Sequence, residues 1–265
     1  MTLPNAARGG HPPGDDPVAE YVLRLGDDRL VLGHRLSEWC GHAPILEEDI
    51  ALGNIALDLL GQAQGLLKIA GALEGRGRDE DALAYWRDAH EFRNVRFAEL
   101  PRGDFAHTIV RQFLFDAFDV LLTERLAGSA HAELAGVMAK AHKEARYHVR
   151  HSGDWVARLG DGTDESHRRA QRALDALWPY AAELFETDPV DRAAVDAGVG
   201  ADASELREAW RAMVEEVAEE ATLRVPSLTL VALDGRGRDG VHTEHLAELL
   251  ATMQVVARAH PGASW

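Results

Sequence analysis

The 265-residue chain is poor in cysteine, in basic residues and, after its first 17 residues, in proline. Its single cysteine, Cys40, excludes an internal disulfide framework and a cysteine-rich zinc site, and is typical of a reducing cytoplasm. With 28 Lys and Arg against 44 Asp and Glu, the formal charge of −16 repels nucleic acid and anionic lipid. No run approaches the roughly 18–20 uncharged apolar residues of a membrane span. We therefore expect a cytoplasmic protein that binds neither nucleic acid nor membranes.

The distribution of proline predicts an all-α fold. Residues 1–16 are rich in Pro and Gly, and we expect them to form a disordered leader. The segments 45–100 and 102–178 contain no proline and are rich in Ala, Leu, Glu and Arg, which favours helices. The best candidate for an extended segment is 227–233, because alternating β-branched runs are scarce elsewhere.

Eight helices are predicted from these patterns. Their ranges are 17–39, 44–73, 79–97, 104–127, 131–159, 164–187, 203–224 and 243–259. A cap at Asp104 starts the fourth helix, and Pro179 bends the sixth or divides it in two.

Short connections within this series predict two antiparallel helix hairpins, 17–73 and 104–159. Two long hairpins make a four-helix bundle. The sequence therefore predicts a single ferritin-like helical domain over 17–265, with additional C-terminal helices at 164–260.

The second helix holds the most informative pattern, an isolated carboxylate. Between Ile50 and Leu67 the only charged residue is Asp58, and the apolar residues around it predict a helix buried on several sides. A buried carboxylate needs a cation, a metal, hydrogen-bond donors or a shared proton. Asn54, Asp58 and Gln62 form one polar stripe. Later helices carry similar stripes: Gln112, Asp116, Asp119 and Thr123, and then Lys140, Glu144, Tyr147, His148 and His151.

The spacing of four acids about the predicted turns suggests a common layer. Asp28 and Asp58 are equidistant from the first hairpin turn, and Asp116 and Glu144 are equidistant from the second. We therefore predict four carboxylates at one level of the bundle. This arrangement is similar to the ferritin-like di-iron plan, in which two helices each supply a Glu and two each supply a Glu-x-x-His.

At the two histidine positions of that plan the chain has Gly61 and Tyr147. Glycine offers no ligand, and tyrosine is a poor substitute for a neutral imidazole. We therefore predict a vestigial metal-site layer without a functional di-iron centre and without catalytic residues. Lys68, Lys140 or an arginine are the candidate counter-ions for the acids.

Three interpretations of this layer stay open. The acids form buried ion pairs or hydrogen bonds, or they face solvent or a partner. In the third, the chain is a metal-dependent oxidoreductase in its own right. Its metal ligands would then be Asp58, Asp116, Glu144 and His148.

Two further histidine pairs have spacings that can bind a metal. His148 and His151 follow Glu144 along one helix, but such residues more often form a satisfied polar face. His242 and His245 lie in GVHTEHL, where capping of the last helix by the intervening threonine is the simpler explanation. The two GRGR runs, in 75–78 and 235–238, are interpreted as solvated turns.

Three long motifs resemble the PaaC family, the C subunits of bacterial 1,2-phenylacetyl-CoA epoxidases. The first is YVLRLGDDRLVLGHRLSEWCGHAPILEEDIALGNIALDLLGQAQ at 21–64. The second is KEARYHVRHSGDWVARLGDGTDES at 143–166. The third is GVHTEHLAELLATMQ with the closing PGASW, between 240 and 265. The similarity extends over essentially everything after the leader.

This resemblance implies a structural and regulatory subunit, not catalytic by itself, of a monooxygenase that epoxidises the ring of phenylacetyl-CoA in aerobic phenylacetate catabolism. It implies three partners. These are a homologous catalytic subunit with the di-iron site, a small bridging subunit, and a reductase that carries flavin and an iron–sulfur centre and uses NADPH. No cofactor is expected in this chain, and self-association is an option for the isolated subunit.

Overall fold

The computed structural model describes residues 16–226 and 235–263. Within these ranges the secondary structure is helical and contains no strand, so the predicted all-α class is confirmed. The helices are α1 (Pro17–Ser37), α2 (Leu46–Glu74), α3 (Glu80–Tyr85), α4 (Arg96–Glu99), α5 (Phe105–Leu126), α6 (Ala132–Gly160), α7 (Asp164–Ala181), α8 (Pro189–Asp196), α9 (Arg207–Glu220), α10 (Glu244–Met253) and α11 (Val255–Ala259). The predicted leader, apart from Asp16, and the predicted extended segment lie outside the described residues.

Two long hairpins, α1–α2 and α5–α6, form a four-helix bundle of the predicted ferritin-like kind. α2 packs on α6, and Trp39 beyond α1 donates its indole N–H to Thr108 of α5 at 3.0 Å. α7 and α9 pack on the α5–α6 hairpin, while α8 packs on α1. One continuous cluster of apolar side chains joins these layers. The additional C-terminal helices thus cover the bundle rather than extend it.

Side-chain caps set several helix starts. Asp104 accepts a hydrogen bond from His107 N at 2.9 Å, which confirms the predicted cap of α5. Thr163 and Asp188 close capping boxes at α7 and α8. The sequence prediction missed α8, although Asp188 followed by Pro189 is a typical helix start.

The predicted helix at 79–97 is wrong, because a 3₁₀ turn and extended residues separate α3 from α4. Carboxylates of α1 hold this irregular backbone. Asp27 Oδ2 accepts from Arg93 N at 2.8 Å, and Asp28 Oδ1 accepts from Val95 N at 2.8 Å. These donors are bound to α1 and therefore cannot continue a helical ladder.

The segment that follows residue 234 binds to the same irregular backbone. Arg238 donates to both carboxylate oxygens of Asp28, at 3.0 and 2.7 Å. A Cβ on Gly237 would lie 1.9 Å from Asn94 O, so this close approach requires glycine. The prediction of a solvated turn at 235–238 is therefore wrong.

Three later helices differ from their predicted extents. Pro179 lies inside α7, and a 3₁₀ turn follows the helix, so the predicted helix at 164–187 is divided near its end. The predicted helix at 203–224 begins as a 3₁₀ turn before α9. The one at 243–259 breaks at Gln254, whose buried amide donates to two backbone carbonyls near the end of α3, at 3.1 and 3.0 Å.

In the described part of the chain, α2 is the one helix that is long and apolar enough to cross a membrane. The most apolar window of α2 contains the charged Asp58, so the expectation that the chain lacks an uncharged apolar run of that length is not overturned. In its most apolar window, 44% of the residues are buried against the rest of the protein. Its polar side chains bond to α1 and α6, as a core helix of a bundle requires.

Removing the Asp27 carboxylate should strongly destabilise the fold. Asp27 pairs with the buried guanidinium of Arg87 and accepts from Arg93 N, so Asp27→Ala leaves a buried cation without its anion. We expect a loss of roughly 3–5 kcal/mol in the free energy of unfolding, measured by urea titration. Glu165→Ala breaks only exposed ion pairs, those with Arg168 and Arg169, and should leave the midpoint unchanged. Equal midpoints for the two variants would contradict this prediction.

Candidate functional site

The predicted polar stripes meet inside the bundle, where an arginine of α1 joins them. Arg29 pairs with the Asp119 carboxylate, and its Nε donates to Gln62 Oε1 at 2.9 Å. Gln62 Nε2 donates to Glu144 Oε2 at 2.9 Å, and the other oxygen of Glu144 lies 3.2 Å from Lys140 Nζ. This series, which we call the arginine chain, leads from a buried ion pair to an exposed lysine.

A second hydrogen-bonded group lies on α5 and α6 and reaches α2. Gln112 Nε2 donates to Asp116 Oδ1 at 2.7 Å, and Ser152 Oγ donates to Asp116 Oδ2 at 2.8 Å. The hydroxyl of Ser152 also lies 2.9 Å from His148 O. The His148 imidazole is buried, and its Nε2 lies 3.0 Å from Asp58 Oδ2. We call these five residues the Asp116 group.

Burial changes the acidity of both interior aspartates. It raises the pKa of Asp116 to about 7, although the nearby His148 and the donors Ser152 and Gln112 oppose the rise. Burial also raises the pKa of Asp119, against the opposing effect of Arg29. Asp116 is therefore mostly protonated at acidic pH, which lowers the charge of the interior.

The predicted four-carboxylate layer is wrong for Asp28. Its carboxylate bonds to Arg238 and to Val95 N on the outer side of α1. The next residue, Arg29, occupies the interior position, since consecutive side chains of a helix point about 100° apart. The guanidinium of Arg29 therefore lies in the bundle interior, where the spacing predicted the carboxylate of Asp28.

The other predicted residues of the layer are dispersed. Asp58 is only half-buried, with its side chain 39% exposed, so α2 is not enclosed on that side as predicted. Gly61 is exposed, and a Cβ there would meet nothing within 4 Å. Tyr147 is exposed and stacks on His151, with ring centroids 6.2 Å apart. The two positions at which histidine ligands were sought therefore face away from the interior.

Of the two predicted lysine counter-ions, the structure brings one to an acid. Lys140 pairs with Glu144, although the lysine side chain is 75% exposed. Lys68 lies on the exposed side of α2. The interior cation is Arg29, so the counter-ion inside the bundle is an arginine, the third of the predicted possibilities.

These donors do not fit a di-iron site. In the ranges described, no three His, Cys, Asp or Glu side chains are grouped to hold a metal ion. The guanidinium of Arg29 occupies the interior beside Asp119, and the amide of Gln62 lies between Arg29 and Glu144. Within the described residues, the buried imidazole of His148 bonds to one carboxylate, that of Asp58. The arginine chain thus balances the charge of the acids with a side chain.

Sequence reasoning missed Arg29, although a signal was present. Val22, Leu25, Leu32 and Leu36 surround it at helical spacing, and all four are buried. Arg29 is the one charged position of this stripe. An isolated cation on an apolar stripe of α1 is the same kind of signal as the isolated acid Asp58 on α2.

The histidine pairs have carboxylate or backbone partners. His151 Nε2 lies 3.0 Å from Glu48 Oε2, so with His148 it joins α6 to α2. The predicted polar face is not fully satisfied, because the buried Nδ1 of His151 has no hydrogen-bond partner among the described residues. His242 places Nδ1 2.8 Å from Glu99 Oε2 and Nε2 3.0 Å from a backbone carbonyl. Thr243 occupies the N-cap of α10, but its side chain makes no capping bond, contrary to prediction. The nearby Glu99 accepts from its backbone N–H instead.

Asp116→Asn should remove a pH dependence of stability. The folded-state pKa of about 7 exceeds the ordinary value of 3.8, so the folded chain binds a proton that the unfolded chain has lost. The stabilisation from this proton is complete below the unfolded pKa and declines as the pH rises towards the folded pKa. Asparagine cannot ionise. Between pH 5 and pH 8 the free energy of unfolding of the wild type should therefore fall by roughly 2–3 kcal/mol relative to that of the variant.

Urea unfolding at several pH values measures this difference. Asp154→Asn, on the exposed face of α6, is the matched control and should stay parallel to the wild type. If Asp116→Asn also stayed parallel to the wild type, Asp116 would not hold the proton.

Comparison with known proteins identifies the family. Residues 8–265 match the family described as phenylacetic acid catabolic protein, PaaA_PaaC. The chain is 51% identical over 248 residues to the C subunit of the 1,2-phenylacetyl-CoA epoxidase of Escherichia coli (strain K12). The alignment covers 94% of this chain and 99% of that protein. The resemblance noticed in the sequence is thereby confirmed, and the chain belongs to the PaaA_PaaC family of phenylacetic acid catabolic proteins.

Proposed function

We propose that the chain is a structural and regulatory subunit of a 1,2-phenylacetyl-CoA epoxidase that acts in aerobic phenylacetate catabolism. The observation that carries the proposal is the Arg29–Asp119 pair in the bundle interior. A ferritin-like catalytic subunit needs carboxylates and histidines around its metal. This chain has a guanidinium inside the bundle and exposed Gly61 and Tyr147 at the histidine positions.

The fixed interior suits a supporting role. Arg29 and Asp119 are both almost completely buried, and breaking such a pair costs much more than breaking an exposed one. The amide of Gln62 extends the pair to α6 through Glu144. All four helices of the bundle, α1, α2, α5 and α6, are thereby held in register, which gives a partner a rigid surface to bind.

The rest of the system lies in other chains under this proposal. A homologous catalytic subunit holds the di-iron site, a small subunit bridges components, and a reductase passes electrons from NADPH through flavin and an iron–sulfur centre. The present chain would be soluble and cytoplasmic and would bind no cofactor. Its relative's name, an epoxidase subunit, supports this assembly.

The chain should bind no stoichiometric iron. Expressed in iron-rich medium and loaded anaerobically, it is expected to show only trace iron by mass spectrometry, because Arg29 occupies the interior beside Asp119. A cognate catalytic subunit treated in the same way is the positive control. Near-stoichiometric iron that is lost on Asp58→Ala would overturn the proposal in favour of a metalloenzyme.

The chain should form a stable complex with the catalytic subunit of its own host. After co-expression, we expect both to elute together on size exclusion at a mass above either alone. The complex should also support epoxidation of phenylacetyl-CoA when the remaining components are added. Separate elution of the two subunits would contradict the proposed role.

A further inference from the structure

Along its outer side, α2 exposes large apolar residues in one stripe. Leu46, Ile50 and Leu57 are 71%, 56% and 68% exposed, and their spacing of four and seven residues places them on one helix face. On the same face, a Cβ at Gly53 or Gly61 would meet nothing within 4 Å. The stripe is therefore apolar, and its glycines let another helix approach the backbone closely.

The neighbouring edge of α6 is basic and aromatic. Lys140, Lys143, Tyr147 and Arg150 are exposed and follow one another at helical spacing. The guanidinium of Arg150 lies 5.8 Å from the centre of the Tyr147 ring. Tyr147 also stacks on His151, which bonds to Glu48 of α2, so this edge lies beside α2.

These two stripes lie on the packed helices α2 and α6, and we call them together the α2–α6 face. Its residues are Leu46, Ile50, Gly53, Leu57 and Gly61 of α2, and Lys140, Lys143, Tyr147 and Arg150 of α6. Contiguous exposed apolar patches mark interaction sites on soluble proteins. Lys140 already pairs with Glu144. Lys143 and Arg150 are exposed cations on a chain with a formal charge of −16, so they give the face charge complementarity for an acidic partner.

We propose that the α2–α6 face docks a helix of the catalytic subunit of the epoxidase, apolar along its centre and acidic along one edge. The inference rests on the proposed function, because it assigns the face by which this chain joins that complex. The apolar centre would bury Ile50 and Leu57, while the acidic edge would pair with Lys143 and Arg150. The net negative charge of the chain disfavours an anionic lipid surface as the occupant.

The test uses the chain co-expressed with the catalytic subunit, together with affinity measurements on the purified pair. Ile50→Glu and Leu57→Glu each place an unpaired charge in the apolar centre and should weaken binding about 100-fold. The double change Lys143→Glu with Arg150→Glu should slow association roughly tenfold at low salt. Val195→Glu, at an exposed apolar position of α8, is the matched control and should bind like the wild type. Thermal melts verify that each variant folds.

The outcomes separate the inference from the proposed function. Loss of binding in Ile50→Glu and Leu57→Glu, with Val195→Glu unaffected, supports the docking face. If all variants bind like the wild type, the face is not the interface, and the proposed function stands. If the wild type itself does not bind, the proposed function fails and the inference fails with it.

Two further measurements examine other occupants of the face. A homodimer of the isolated chain that Leu57→Glu dissociates would assign the face to a second copy. Sedimentation with vesicles of phosphatidylcholine and phosphatidylglycerol, lost in the same variant, would assign it to lipid. Either result would overturn the inference.

Discussion

Buried carboxylates hold the irregular parts of this chain onto its helical bundle. Each of four acids accepts a hydrogen bond from a backbone N–H of a loop, a short helix or a helix start, and each faces a cationic or imidazole side chain. They are Asp27, Asp28, Glu99 and Glu183. Each carboxylate thus accepts a hydrogen bond from the backbone and also balances a cationic or imidazole side chain, so its loss would leave both groups without their partner. The segments 86–99 and 235–243 depend on it, and so do the positions of α4 and α10.

In the interior of the bundle, buried charges are also balanced, here by an ion pair and by protonation. Arg29 and Asp119 neutralise each other, and Asp116 reduces the remaining charge by keeping a proton when its pKa rises to about 7. Burying a charge costs several kcal/mol unless it is paired or removed, and the chain uses both means. A ferritin-like bundle can therefore retain a polar centre without metal ligands in their usual places.

The sequence allowed the helical hairpins to be predicted, because long proline-free segments and short connections are local features. It could not reveal that 79–97 is broken, since the acceptors for this backbone lie more than 60 residues earlier, at Asp27 and Asp28. The isolated Asp58 was visible, but its exposure depends on which sides of α2 its neighbours cover. The same holds for Arg29, because a charge on an apolar stripe indicates a buried partner but does not identify which residue it is.

The arginine chain has a consequence for how the protein is made. A metal ion must be acquired from outside and can be lost to chelators or to a change of oxidation state. A guanidinium is covalently part of the polypeptide, and its charge persists at every physiological pH. The core of this subunit can therefore be completed as soon as the chain is synthesised, whatever the supply of iron. Under the proposed function, the chain can be ready as a folded template before its metal-dependent partner has matured.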